Sequence, residues 1–162
     1  MPILIAAPAK TNKPLWSMAE NRDPNIDSSG RVLSPVPGQA ITTPYGKKPN
    51  NNTYWQARGH HTGADYACST GTKVVAVLPG TVRTYSDKVL GRIVLLYADN
   101  GFTYWYCHLS KQVRTSGRVL PGEVIGLAGM TGTGAAMGPH LHLEKRAGHT
   151  TSWAGKDLNP TW

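Results

Sequence analysis

The sequence predicts an all-β fold: antiparallel sheets, many turns and little helix. Three observations carry that expectation. Gly 18 and Pro 12 together supply 30 of the 162 residues, well above ordinary usage. Apolar residues come in short runs, each closed by Gly, Pro, Asn or Asp, which is how strands and their turns read. No long stretch repeats with the 3.6-residue period of an amphipathic helix.

A chain of 162 residues makes one domain with a modest core. The formal net charge is +8 and the sequence pI about 9.7. A balance this basic suits a polyanionic partner: nucleic acid, an anionic membrane, or a bacterial wall rich in acidic polymers. Charge alone does not choose among them. The two cysteines, Cys68 and Cys107, are too few for a disulfide framework, and both two buried thiols and one bridge fit. Met1 to Ala7 is apolar, but no basic residues precede it and Pro8 interrupts it. It is too short for a membrane span or a signal peptide. No later segment approaches 18 apolar residues, so no membrane insertion is expected.

Taken in order, residues 1–33 read as an N-terminal extension without chemistry. Pro14 to Arg22 can form a short helix with proline in its first turn. Asp23-Pro24-Asn25 stops it, and Trp16 is expected to dock on the main body. The main domain, residues 34–162, opens with a turn-rich extended entry, and Lys47 to Thr53 is a polar, Asn-rich loop. Next comes Arg58-Gly-His-His-Thr-Gly-Ala-Asp-Tyr66. Gly59 and Gly63 oppose a helix. On a strand, residues 61, 63 and 65 share a face, so His61 and Asp65 converge across the open Gly63 while His60 points away.

Gly71 to Leu78 reads as a buried strand, ended by Pro79-Gly80, and Thr81 to Ser86 and Gly91 to Ala98 as the next two. Asp99-Asn-Gly101 is a hairpin turn, because Asn-Gly tolerates positive φ. Phe102 to His108 returns as the following strand. Its Trp105 and Tyr106 are packing or substrate-wall residues, and His108 sits at its end, where sites gather. Val119 to Gly129 is a turn and a strand. Thr131 to Pro139 is a small-residue loop, and a phosphate cradle there is poorly supported, since no Lys-Ser/Thr follows.

That loop feeds Pro139-His-Leu-His-Leu-Glu144. On a strand His140, His142 and Glu144 share one face. His61, Asp65 and His142 together offer two imidazole nitrogens and a carboxylate oxygen, the protein-ligand set of a catalytic zinc site. His108 and His140 would then stand beside the metal as free imidazoles, one to move a proton and one to stabilise developing charge. Glu144 is a rival base, but reads better as a solvated residue at the strand's end.

His61-Thr-Gly-Ala-Asp65-Tyr-Ala, Gly71-Thr-Lys-Val, Tyr106-Cys-His108-Leu-Ser and Gly138-Pro-His140-Leu-His142-Leu-Glu resemble the lysostaphin/LytM-type zinc metallopeptidases. The similarity runs from about Pro35 to Pro160 with the motifs in order. It implies a duplicated-hybrid-motif-like β fold with a groove over an antiparallel sheet, one zinc ion (Zn2+), and endopeptidase action on peptidoglycan peptides. Residue by residue it makes His61, Asp65 and His142 the zinc ligands and His108 and His140 the catalytic imidazoles. Leu143 replaces the family's usual Phe, and Ala136-Met137 replace small hydroxyl residues, which touches substrate contacts and not the metal. The implied partners are the peptidoglycan stem or cross-bridge peptide and, through the basic surface, anionic wall polymers. Nucleic acid is not among them, and a monomer is expected. The place of action is the bacterial cell wall. The lack of a visible signal peptide suits a phage lysin, and a wall hydrolase with its export sequence trimmed is the competitor. A non-catalytic zinc module that binds the wall or activates a hydrolase, and a zinc N-acetylmuramoyl-L-alanine amidase, are the alternative functions.

Overall fold

A computed structural model describes residues 23–48, 58–135, 137–152 and 156–162. The helix expected over residues 14–22 and the docking of Trp16 lie outside the described residues, as does most of the 47–53 loop. The described elements are ten strands and one single-turn 3-10 helix, Thr133–Ala135. The strands are β1 (Ala64–Ala67), β2 (Lys73–Val75), β3 (Gly80–Asp87), β4 (Gly91–Ala98), β5 (Phe102–Leu109), β6 (Lys111–Gln112), β7 (Ser116–Val119), β8 (Val124–Leu127), β9 (His140–Ala147) and β10 (Asp157–Leu158).

Seven of them form the main sheet, in the order β1-β9-β5-β4-β3-β7, with β10 also pairing β9. A smaller sheet has the order β2-β8-β6. Every pairing is antiparallel, as the short, turn-bounded runs predicted. The Asp99-Asn-Gly101 hairpin forms, with Gly101 at φ 84° and the Gly101 amide donating to the Ala98 carbonyl. The run expected over residues 71–78 is shorter than read: only Lys73–Val75 is strand, and a register irregularity falls between Val74 and Val75. It belongs to the small sheet, because Ala76 and Val77 turn inward to bond Glu123 and Tyr106 instead of a strand partner.

Strand alternation divides the main sheet into two faces. Leu141, Leu143, Tyr104, Tyr106, Val94 and Leu96 join the main core between the sheets. Val32 and Val36 belong to the same core, and Trp162 closes it by donating its indole N–H to the Val32 carbonyl. The opposite face carries a second apolar cluster of Leu90, Ile93, Leu95, Trp105 and Cys107. Trp105 and Tyr106 are therefore packing residues, one on each face and both fully buried. Cys68 and Cys107 are both free thiols. Each lies within three residues of a site residue in sequence, yet Cys68 packs on the main core and Cys107 in the second cluster, so the sheet separates them.

Candidate metal centre and active site

The second face of the sheet also carries the site. Pairing of β1 with β9 sets Asp65 opposite His142, and pairing of β5 with β9 sets Cys107 opposite the same residue. His140, His142, Glu144 and Arg146 alternate along β9 on this face, between the apolar positions of the core. His61 does not lie in a strand, as the sequence suggested, because β1 begins at Ala64. It is held instead by the 44–47 turn: its amide donates to the Lys47 carbonyl, and the Gly46 amide donates to its own. Gly63 is needed between them, because a Cβ there would stand 2.8 Å from His142 Cε1 and 2.9 Å from Nε2. The space that the sequence left open is filled by the His142 ring.

His108 is placed by a β-bulge. Val94 pairs with Tyr106 but Arg92 pairs with Leu109, so Ile93 alone of β4 faces Cys107 and His108 of β5. His108 takes the left-handed conformation, φ 62°, alone among the described non-glycine residues. The small-residue loop supports it. Thr131 accepts the His108 Nδ1–H through its carbonyl at 2.8 Å, and a Cβ on Gly134 would come within 3.1 Å of His108 Cε1. Gly132 packs against Val89 and Gly91, Gly134 against Val89 and His108, and Gly138 takes a positive φ, so close packing and backbone conformation give the glycines of this loop a role without phosphate.

A carbonyl oxygen only accepts, so each imidazole nitrogen facing one carries the proton. His61 Nδ1 donates to the Pro44 carbonyl at 3.0 Å, and His140 Nδ1 to the Gly138 carbonyl at 2.8 Å. With His108 tied in the same way, the Nε2 atoms of all three rings are left to present lone pairs. His142 is turned the other way: its Nε2 faces Glu144 Oε1 at 3.2 Å, and its Nδ1 faces Asp65 Oδ1 at 2.7 Å. His61 Nε2 lies 3.2 Å from His142 Nδ1 and 3.2 Å from Asp65 Oδ1.

These three atoms could hold a metal ion. Three acceptors packed together repel one another unless a cation is shared among them. Without a metal, the cation is a proton on His142. Burial pushes its pKa down, but hydrogen bonds to Asp65 and Glu144 prevail and raise it to about 9. Asp65 is held far below the usual carboxylate range: burial opposes this, and hydrogen bonds from His142 and His61 outweigh it. Two imidazoles, each oriented by a hydrogen bond at its other nitrogen, and one carboxylate fit zinc.

His108 and His140 stand beside this group. Their ring centroids are 4.8 Å apart, and His108 is 5.8 Å from the His142 ring. Burial, then repulsion from the His142 cation, pushes the His108 pKa down to about 3, so it is a neutral acceptor at neutral pH. All five residues singled out from the sequence are thus brought together.

Glu144 is not the solvated residue expected. It is fully buried: β9 runs on to Ala147, and Glu144 lies inside the sheet opposite Trp105 of β5. Thr62 donates to its Oε1 at 2.5 Å, Arg146 Nε donates to its Oε2 at 2.9 Å, and the guanidinium NH2 makes a further short bond to the same oxygen. Thr62 and Arg146 were missed in the sequence. The available signal was a glutamate and an arginine two apart on one strand face. His60 points away as expected, donating to Asp157 at 2.6 Å beside Arg58 at 3.1 Å, which fastens β10 to the segment leading into His61.

Among known proteins, the DD-carboxypeptidase/endopeptidase Mpg of Neisseria meningitidis serogroup B is 35% identical over 144 residues, 83% of this chain and 31% of that protein. The chain thus spans less than a third of the length of this curated relative. The catalytic domain of lysostaphin from Staphylococcus simulans superposes with a TM-score of 0.61 at 27% identity, covering 74% of this chain and 88% of that one. A zinc-containing peptidase from Vibrio cholerae does so with a TM-score of 0.59 at 28% identity, covering 74% and 39%. The profile of peptidase family M23 matches residues 59–160, a stretch that runs from just before His61 to just past β10. The lysostaphin-like fold and this match together place the chain in peptidase family M23.

Proposed function

We propose that the chain is a zinc endopeptidase that hydrolyses peptide bonds of bacterial peptidoglycan. One observation carries the reading. Three candidate ligand atoms, His61 Nε2, Asp65 Oδ1 and His142 Nδ1, converge within 3.2 Å of one another, next to two further imidazoles. A closed structural zinc site takes four protein ligands, and here His108 and His140 are left for chemistry.

Zinc held by His61, Asp65 and His142 would polarise the scissile carbonyl and lower the pKa of the attacking water to about 7. The chain's own residues do the rest. His140 Nε2, 3.8 Å from Asp65 Oδ1, takes a proton from the attacking water, as general bases of this kind do. His108 Nε2 accepts a hydrogen bond from the same water and fixes its direction. Neither ring donates from Nε2 until it gains a proton, so the first transfer itself creates the donor. The resulting imidazolium hydrogen-bonds the developing oxyanion and then delivers its proton to the leaving nitrogen. One chain supplies all five residues, so a monomer suffices. The net charge of +8 draws the protein to anionic polymers of the wall.

The test is digestion of purified walls with protein stripped by a chelator and then reloaded with zinc. Lysis should stop and return, and mass spectrometry should find new amines inside the stem or bridge peptide. Full lysis in chelator rejects the metal, and cleavage at the sugar–peptide link identifies an amidase.

A further inference from the structure

We infer that Glu144, braced by Thr62 and Arg146, fixes the form of His142 that can take a metal, and is a positioning residue rather than a base. The inference rests on the zinc reading above.

Two carboxylates compete for the ring of His142. Asp65 Oδ1 lies 2.7 Å from Nδ1, and Glu144 Oε1 lies 3.2 Å from Nε2. To take a metal the ring must give up one of its two protons, and the neutral imidazole then has one N–H to give. Given to Asp65, it occupies Nδ1, the nitrogen that faces His61 Nε2 at 3.2 Å, and the ring cannot coordinate. Given to Glu144, it leaves the Nδ1 lone pair among the other two ligand atoms. Asp65 is the nearer acceptor, so alone it favours the blocked form. Glu144 is the counterweight.

Glu144 is equipped for that task. Its Oε1 receives the Thr62 hydroxyl at 2.5 Å and its Oε2 the Arg146 guanidinium, so the carboxylate cannot rotate away from His142. Glu144 and Arg146 are each 0% exposed, and the guanidinium also lies 5.3 Å from the Trp105 ring. The guanidinium offsets a buried charge that would otherwise be costly. With both oxygens engaged and no exposure, Glu144 has no path to a substrate proton.

The test measures zinc affinity, by competition with a chromophoric chelator, for wild type, Glu144→Gln, Thr62→Val and Thr62→Ser. Each variant is first checked for native circular dichroism. Glu144→Gln should still bind one zinc but roughly 10- to 100-fold more weakly, as for other outer partners of ligating histidines. Thr62→Val should lose less in the same direction, and Thr62→Ser, which keeps the hydroxyl, should recover wild-type affinity. Nitrogen-edited NMR of the zinc-loaded protein should show a protected His142 Nε2–H that weakens in Thr62→Val. A merely structural ion pair would lower the melting temperature and leave affinity and this signal alone. Unchanged affinity in folded Glu144→Gln overturns the inference. If that variant does not fold, Thr62→Val decides: wild-type affinity with an unchanged Nε2–H signal overturns it. A wild-type chain that takes up no zinc rejects the proposed function instead.

Discussion

Each imidazole at the site has one nitrogen already committed, and this separates the roles of chemically identical side chains. His61 and His142 turn their remaining nitrogens toward Asp65, whereas the His108 and His140 rings stand together beside them. His140→Ala should therefore bind zinc as wild type does while kcat/KM on a wall peptide falls roughly 10²- to 10⁴-fold. His142→Ala should lose the metal itself, and metal analysis beside turnover distinguishes the two. The same residues give the stripped protein a pH signature. Asp65 is held below its ordinary 3.8, so its contribution is present above that pH and fades as acid is added. His142 is raised from 6.5 to about 9, so its contribution is whole below 6.5 and is lost as the pH climbs through 9. In chelator, thermal melts should show lower stability at pH 8.5 than at pH 6, a drop on the order of 2 kcal/mol. Zinc should shrink that difference, because it replaces the His142 proton, and equal melts in chelator would contradict the assignment. His61, Asp65 and His142 were legible because residue type and strand period together restrict what they can do. Glu144 was misread because its environment depends on Thr62, which lies 82 residues away, and on a flanking strand that no local pattern announces.

The strands act as rulers, and the irregularities in them do the aiming. β1 and β9 bring Asp65 opposite His142, while the bulge in β5 swings His108 out of the sheet's alternation. Gly63 lets the two sides close. Gly63→Ala should destabilise the protein by about 1–3 kcal/mol, as overpacking does, and should weaken zinc binding by pushing the His142 ring aside. Chemical denaturation and metal titration read the two effects, and a neutral substitution would show that β1 yields freely. The Asn-Gly hairpin and the strand pair it joins could be read directly, since their signals lie within a few residues. The bulge could not, because register is a relation between strands. Nor could the division into two sheets, which depends on where Ala76 and Val77 find their backbone partners. The glycines of the 131–135 loop carried an ambiguous signal: the sequence shows that backbones come close, not what they approach.

Across the molecule, the short-range chemistry proposed for the site and the long-range effect of a net charge of +8 are separable. Salt should separate them. Raising NaCl from 0.1 M to 1 M shortens the Debye length from about 10 Å to about 3 Å. Adsorption to intact walls should fall, while turnover of a short soluble wall peptide should hardly change. Parallel losses would place the charge dependence in the active site itself. The overall fold was legible because turn density and the motifs agreed at every level, whereas the basic balance alone does not choose among polyanionic partners. The interior is packed around thiols, not bridges. Its two thiols stand on opposite sides of a sheet and remain unpaired, and burial raises the pKa of both, that of Cys107 strongly. The described fold is therefore held without a covalent cross-link. Reducing agents should therefore leave the melting temperature of this domain where it is.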